Sequence, residues 1–156
     1  MEKKVTDYLA YSPILLGEQY QDKKAVFAAV HQLAAEDGWV TKEFSQKILE
    51  REETYPTGID QGNFGVAIPH TDPEWVTEEF IALVIPQRPV LFQRMDDKQQ
   101  DVQADFIFIL GLNQPHEQLE MLQNLMQLIQ NTELLEGLYK QTNREDVLAL
   151  LKNYGF

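Results

Sequence analysis

Three residues of this chain combine a reactive or cationic side chain with a setting suited to holding a charged group: His70, His116 and Arg51. His70 closes the stretch Gly62-Asn63-Phe64-Gly65-Val66-Ala67-Ile68-Pro69-His70-Thr71. Imidazole titrates nearest neutral pH of the ordinary side chains and offers a nucleophilic ring nitrogen. His116 lies in Asn113-Gln114-Pro115-His116-Glu117, a sequence suited to opening a helix because proline is welcome in a first turn. Arg51 stands on a predicted helix just before the glycine loop. A helix N-terminus and a guanidinium both favour negative charge, so the set suits a group that becomes anionic during reaction. A histidine that accepts a phosphoryl group gains up to roughly −2 charge. His116, Thr71 and backbone amides are candidate donors to it, and such a transfer is mainly positioning plus charge stabilisation.

Other chemistries fit less well. There is no GxxxxGK[ST] loop, and Gly62-x-x-Gly65 is too short to replace one. No nucleotide, cofactor or metal is obligatory if the donor is itself a phosphoprotein. His70, Asp72, Glu74 and His116 could ligate zinc, but there is no HExxH and zinc sites normally show tighter ligand motifs. The plain readings are that the histidines are ordinary polar residues and that Arg51 pairs with Glu52, Glu53 or a loop acid.

The elements that must position these residues follow from spacing. Gly62 and Gly65 keep a loop tight before the strand Val66 to Ile68, and Pro69 ends the ladder because it has no N–H. Residues Tyr8 to Leu16 read as an extended or turn segment. Asp22 can cap a helix from Lys23 to about Glu36 with Phe27, Val30, Leu33 and Ala34 inward, stopped by Asp37-Gly38. His31 reads as an ordinary histidine of this helix. Thr41 can cap a helix from Lys42 to about Thr54, with Phe44 and Ile48 buried and Arg51 turned roughly toward the core. Asp72 to Trp75 is a turn; Phe80 to Ile85, Val90 to Phe92 and Val102 to Leu110 are strands, with an exposed turn at Asp96 to Gln100. The helix after Pro115 turns Leu119, Leu122, Met126 and Ile129 inward with Leu125 beside them, which points His116 at the sheet. Thr132 and Asn143 can cap two last helices, with Leu134, Leu135, Leu138, Val147, Leu148 and Leu151 inward. Strands interleaved with helices predict a layered α/β domain, a central sheet covered by helices.

The totals are consistent with this. A chain of 156 residues reads as a single domain, residues 1–156, with 44% hydrophobic and 24% charged residues. Its net charge of −12 disfavours nucleic acid and anionic membranes as partners. The absence of cysteine removes disulfides and thiolate chemistry and fits a cytoplasmic location. No signal peptide is expected, and no apolar run approaches the ~20 residues that span a bilayer.

The segment Arg51-Glu52-Glu53-Thr54-Tyr55-Pro56-Thr57-Gly58-Ile59, then Gly62, then Val66-Ala67-Ile68-Pro69-His70, resembles the active-site region of enzyme IIA of the bacterial sugar phosphotransferase system, mannitol/fructose class. Pro115-His116-Glu117-Gln118-Leu119 resembles the second histidine region of that class, and the likeness runs across nearly the whole chain. Ile68 to Glu74 and His116 to Glu120 resemble the galactitol type more than the mannitol type. The resemblance implies a mixed β-sheet flanked by helices on both faces. It implies that His70 is phosphorylated at Nε2, with His116 hydrogen-bonding and Arg51 clamping the phosphoryl group. The implied donor is the phosphocarrier protein HPr. The implied acceptor is a IIB component, which in this class uses a cysteine, working with a membrane component IIC. With no cysteine and no membrane segment here, IIB and IIC are expected on other polypeptides, and IIA itself binds no sugar. Relatives of the fold act instead as phosphorylation-dependent regulators of nitrogen control, which is the competing reading.

Overall fold

Two uninterrupted apolar runs, Phe80–Ile85 and Phe106–Gly111, can only be strands covered on both faces. In the computed structural model, which describes residues 3–156, every residue of both is buried, and they pair antiparallel from Phe80↔Gly111 to Val84↔Ile107. They are β4 and β7, the middle of a five-stranded mixed sheet of order β1-β4-β7-β3-β2, completed by β1 (Ile14–Leu16), β2 (Gly58–Asp60) and β3 (Gly65–Ala67). β1 runs parallel to β4, β3 runs parallel to β7, and β2 pairs antiparallel with β3.

Strand alternation divides the core in two. Ile81, Leu83, Ile85, Phe106, Phe108 and Leu110 face α1 (Val5–Leu9), α4 (Pro115–Ile129), α5 (Thr132–Tyr139) and α6 (Arg144–Asn153). Phe80, Ala82, Val84, Ile107 and Ile109 face α2 (Lys23–Glu36) and α3 (Phe44–Thr54). Helices on both faces of a mixed sheet are thus the architecture the resemblance implied.

Several local expectations need correction. Tyr8 to Leu16 is not simply extended: Val5–Leu9 is a helix whose Val5, Tyr8 and Leu9 are core residues, and Ile14–Leu16 is an edge strand. Val102 to Leu110 is two strands, because Asp105 leaves the ladder to bond Gly65. The Asp105 N–H donates to the Gly65 carbonyl at 2.7 Å, and its carboxylate accepts from the Gly65 N–H at 3.0 Å. The first piece, β6 (Asp101–Ala104), pairs with β5 (Val90–Gln93) in a separate two-stranded sheet. Gly58 to Asp60, where no strand is predicted, is β2.

In α2, Asp22 caps as expected, accepting from the Ala25 N–H at 2.9 Å, and Val26, Phe27, Val30 and Ala34 are buried while Leu33 is exposed. The helix α3 starts at Phe44, later than expected, and no Thr41 hydroxyl caps it. His31 Nδ1 accepts from the Ser45 N–H at 3.2 Å, which ties α2 to the start of α3. Asn131 rather than Thr132 caps α5, and Asn143 caps α6 as expected. Leu148 is only partly buried.

Gly65 sits where β6 crosses β3. A Cβ there would lie 1.9 Å from the Gln103 carbonyl oxygen, a backbone atom that cannot turn aside. Overpacking of this kind typically costs about 1–3 kcal/mol. Gly65→Ala is therefore expected to lower unfolding free energy by about that amount in urea titrations, with Gln103 amide exchange accelerated. An unchanged midpoint would mean the crossing is looser than these contacts imply.

Candidate functional site

Pro69 cannot donate to a ladder, yet the chain beyond it stays on the sheet. The Leu110 N–H donates to the Pro69 carbonyl at 2.9 Å, and His70 forms a parallel bridge with Leu110. His70 is thereby fixed at the edge where β3 and β7 end, half-buried. Its Nδ1 lies 3.0 Å from the Ile68 carbonyl oxygen. A carbonyl can only accept, so Nδ1 carries the proton and Nε2 keeps its lone pair. Burial lowers the His70 pKa below its ordinary 6.5, and the Arg51 charge lowers it further, against the Ile68 hydrogen bond and the Asp72 carboxylate, which raise it. At neutral pH the ring is a free base with Nε2 available as a nucleophile.

The Ile68 peptide is held from α3. Its N–H donates to Thr57 Oγ1 at 3.2 Å, while the Thr57 N–H and hydroxyl donate to Glu52 at 2.7 and 2.8 Å. Glu52 is 1% exposed, and burial raises its pKa against these two bonds. Ile68 is therefore held at both ends of its backbone, its N–H by Thr57 from α3 and its carbonyl against the ring of His70. Sequence reasoning assigned Glu52 only a possible ion pair. Its spacing held a better signal: Phe44, Ile48 and Glu52 follow at four-residue steps on the buried face of α3.

Arg51 is not turned to the core, because Glu52 takes that direction. Its side chain is 37% exposed, pairs with Asp72 at 3.4 Å and lies 5.0 Å over the Tyr55 ring. The partner is thus a loop acid, as one plain reading held: Asp72, considered from sequence as a turn residue and a possible zinc ligand, instead pairs with Arg51. Arg51, Asp72, Thr71, Lys47, Tyr55 and Trp75 line a cleft of about 290 Å³ that reaches Thr71, the residue after His70, without the His70 ring in its lining. Thr71 is buried at 4% exposure.

His116 does not face the sheet. Its side chain is 84% exposed, with Nε2 3.8 Å from Glu120 Oε1. The inward stripe of α4 is Met121, Leu125, Leu128 and Ile129, while Leu119 is 58% exposed. The helix is rotated from the expected register: Met121 and Leu128 join Leu125 and Ile129 on the sheet, and Leu122 and Met126 are only partly buried. His116 nevertheless stands at the sheet edge that carries His70, since α4 begins just after β7 and Leu110 pairs with His70. The connecting turn is tethered: the Asn113 N–H donates to Glu79 Oε2 at 3.0 Å, and its side-chain amide donates to the Val76 and Thr77 carbonyls at 3.3 Å.

Phe64 packs edge-on against Phe106 and beside Tyr139, so it belongs mainly to the core margin, whereas Trp75 lies under Lys47 in the cleft. Among the described residues, no three His, Asp or Glu side chains gather as a metal would require, so His70, Asp72, Glu74 and His116 are not brought together as ligands. Among them, too, no helix is long and apolar enough to cross a membrane.

Removal of the Thr57 hydroxyl tests the hold on Ile68. Thr57→Val strands a Glu52 oxygen and the Ile68 N–H, so unfolding free energy should fall by about 1–3 kcal/mol. The ring nitrogen shifts of His70 in an ¹⁵N spectrum should move toward tautomer averaging; a ring spectrum identical to the parent's would show that Ile68 holds the tautomer without Thr57.

A second expectation concerns pH. Because the folded pKa of His70 is depressed, the unfolded chain binds the proton more readily. Its contribution to stability is complete above 6.5 and is lost as pH falls through the lower folded value. His70→Gln should flatten the acid limb of stability in that window. In the parent, the ring titration followed by NMR should have its midpoint below 6.5, and Arg51→Gln should raise it. A midpoint above 6.5 would contradict the burial of the neutral ring.

The family model described as "Phosphoenolpyruvate-dependent sugar phosphotransferase system, EIIA 2" matches residues 8–154. The galactitol-specific EIIA component of Escherichia coli K12 is 29% identical over 122 residues, 78% of this chain and 81% of its own. The mannitol-specific enzyme IIA component of Bacillus subtilis is 30% identical over 145 residues, 91% of this chain and 94% of its own. Among solved structures, the nitrogen regulatory protein IIA-Ntr of Neisseria meningitidis superposes with a TM-score of 0.75 at 27% identity, over 94% of this chain and 98% of its own. The chain belongs to the EIIA type 2 family of the phosphoenolpyruvate-dependent sugar phosphotransferase system.

Proposed function

With that membership as premise, we propose that this chain is a phosphoryl carrier. His70 Nε2 attacks the phosphorus of phospho-HPr, the donor's P–N bond breaks as the new one forms, and free HPr leaves. The phosphoryl group then passes to a cysteine thiolate of a separate IIB component, the bond to Nε2 breaking as the P–S bond forms. The chain binds no sugar and needs no metal or cofactor, and it works in the cytoplasm alongside a membrane IIC. The single observation that supports this most is the fixed tautomer of His70. Nδ1 is committed to the Ile68 carbonyl, and Nε2 is left unprotonated on a rigid sheet edge.

Arg51 clamps the phosphoryl oxygens, a bidentate match of guanidinium to phosphate. His116, exposed on the neighbouring helix start, hydrogen-bonds the group as it is handed on. The whole of residues 1–156 acts as one such domain. The sugar served is galactitol. The galactitol-specific relative supports this, and the mannitol-specific one names the competing hexitol. The similarity to a nitrogen regulatory IIA favours a second reading, in which the same phosphohistidine controls partner binding rather than transport.

Incubation with phosphoenolpyruvate, enzyme I and HPr should label the chain with an acid-labile, base-stable phosphate. His70→Ala should abolish the label; a retained label would sink the assignment. His116→Ala should still be labelled but should transfer to IIB at a fraction of the parent rate, and undiminished transfer would remove His116 from the mechanism. Purified galactitol-type and mannitol-type IIB proteins, offered in parallel, decide the sugar. Faster loss of label to the galactitol IIB is expected, and transfer to neither would favour the regulatory reading.

A further inference from the structure

The cleft that reaches Thr71 keeps its cations engaged at rest. Lys47 lies 3.6 Å from Glu50 and 5.2 Å over the Trp75 ring; Arg51 lies 3.4 Å from Asp72 and 5.0 Å over Tyr55. The Arg51 contact is a single Nη1–Oδ1 approach, not a fork, and both side chains are well exposed at 37% and 60%. Such a pair is weak and easily exchanged. Asp72 is placed to make it. It occupies the N-cap position of the 3₁₀ turn Pro73–Trp75, yet its carboxylate caps nothing and turns to Arg51 instead. Pro73 restricts its backbone, which keeps the carboxylate two positions past His70 from drifting away.

We propose that Asp72 is a positioning residue that holds Arg51 in an ion pair in the resting chain and yields it when a phosphoryl group arrives on His70. This rests on His70 being the phosphoryl acceptor. A phosphoryl group brings about −1.5 to −2 charge and three acceptor oxygens, against one charge and one contact at Asp72. The guanidinium therefore leaves the carboxylate for the phosphoryl oxygens, and the cleft gives it room to turn. Asp72 is left as an unpaired anion near a dianion. It both withholds Arg51 before transfer and repels the group after it. When the N–P bond breaks and the group departs to the acceptor thiolate, Arg51 returns to Asp72. The carboxylate thus lowers the lifetime of phospho-His70 and favours onward transfer.

The test uses the full chain labelled from phosphoenolpyruvate through enzyme I and HPr, as parent, Asp72→Asn, Arg51→Gln and the double variant. Asp72→Asn should lengthen the lifetime of phospho-His70 at neutral pH by about two- to fivefold, the range an exposed ion pair supports. The equilibrium with HPr should move toward this chain by a similar factor, and the ³¹P resonance should shift. In the Arg51→Gln background the gain should largely vanish, because no guanidinium remains to release. Equal lifetimes in parent and Asp72→Asn would overturn the proposal, and so would a gain that persists undiminished without Arg51. Failure of the parent to label would instead overturn the phosphoacceptor reading itself, so the two failures are distinguishable. Asp72→Ser guards against an effect of the asparagine amide, and it should reproduce the longer lifetime.

Discussion

The hydrogen bond from His70 Nδ1–H to the Ile68 carbonyl is the contact on which the site depends. An imidazole free to exchange tautomers presents a reactive lone pair at Nε2 only part of the time. Here the tautomer is set by a carbonyl that has no freedom to move. The preceding peptide is held through the Ile68 N–H by Thr57, and the next carbonyl, that of Pro69, is held by the Leu110 N–H. Thr57 is held in turn by Glu52, whose burial would cost several kcal/mol if it were ionised and unpaired. The bonds from Thr57 offset that cost, and the same bonds orient the loop. The central sheet supplies position, α3 supplies orientation, and both act through a few backbone atoms.

How much of this is legible in the sequence depends on range. Asp22, Gly38 and Asn143 announce their helix ends because capping and left-handed turns are local chemistry, satisfied within a few residues. Phe80–Ile85 and Phe106–Gly111 are legible because burial on both faces leaves no room for polar alternation. The split at Asp105 is not legible, since its cause is a contact with Gly65, forty residues away in sequence. The register of α4 is hidden for a related reason. Leu119, Leu122, Met126 and Ile129 form one apolar stripe and Met121, Leu125, Leu128 and Ile129 form another, and only packing on the sheet chooses between them.

The site divides along the same line. His70 is legible because its strand and its proline are adjacent in sequence. Arg51 is legible as a neighbour but not in its direction, since a one-residue difference on α3 separates the buried Glu52 from the half-exposed Arg51. His116 is legible by motif and placed on the right sheet edge, while its exposure follows from the unforeseen rotation of α4. Asp72 is visible in sequence as a turn acid and a possible metal ligand, but its pairing with Arg51 is not, because it arises only across the cleft.

The net charge of −12 gives this arrangement its sense. An acidic chain that receives a dianionic group needs local positive potential at the point of arrival. A bare cationic pocket would provide it, but would also be open to inorganic phosphate and other free anions. Paired cations avoid that: while Arg51 is engaged by Asp72 and Lys47 by Glu50, the cleft is close to neutral. On the proposed reading, only a group delivered covalently onto Nε2, at a fixed place and with more charge than a carboxylate carries, outcompetes Asp72 for the guanidinium. On that reading the exposed His116, near only Glu120 at 3.8 Å, fits the same logic and completes its contacts when the phosphoryl group arrives. On the proposed reading, selectivity for a protein-borne phosphoryl group comes from keeping the site's positive charge occupied until the chemistry has begun.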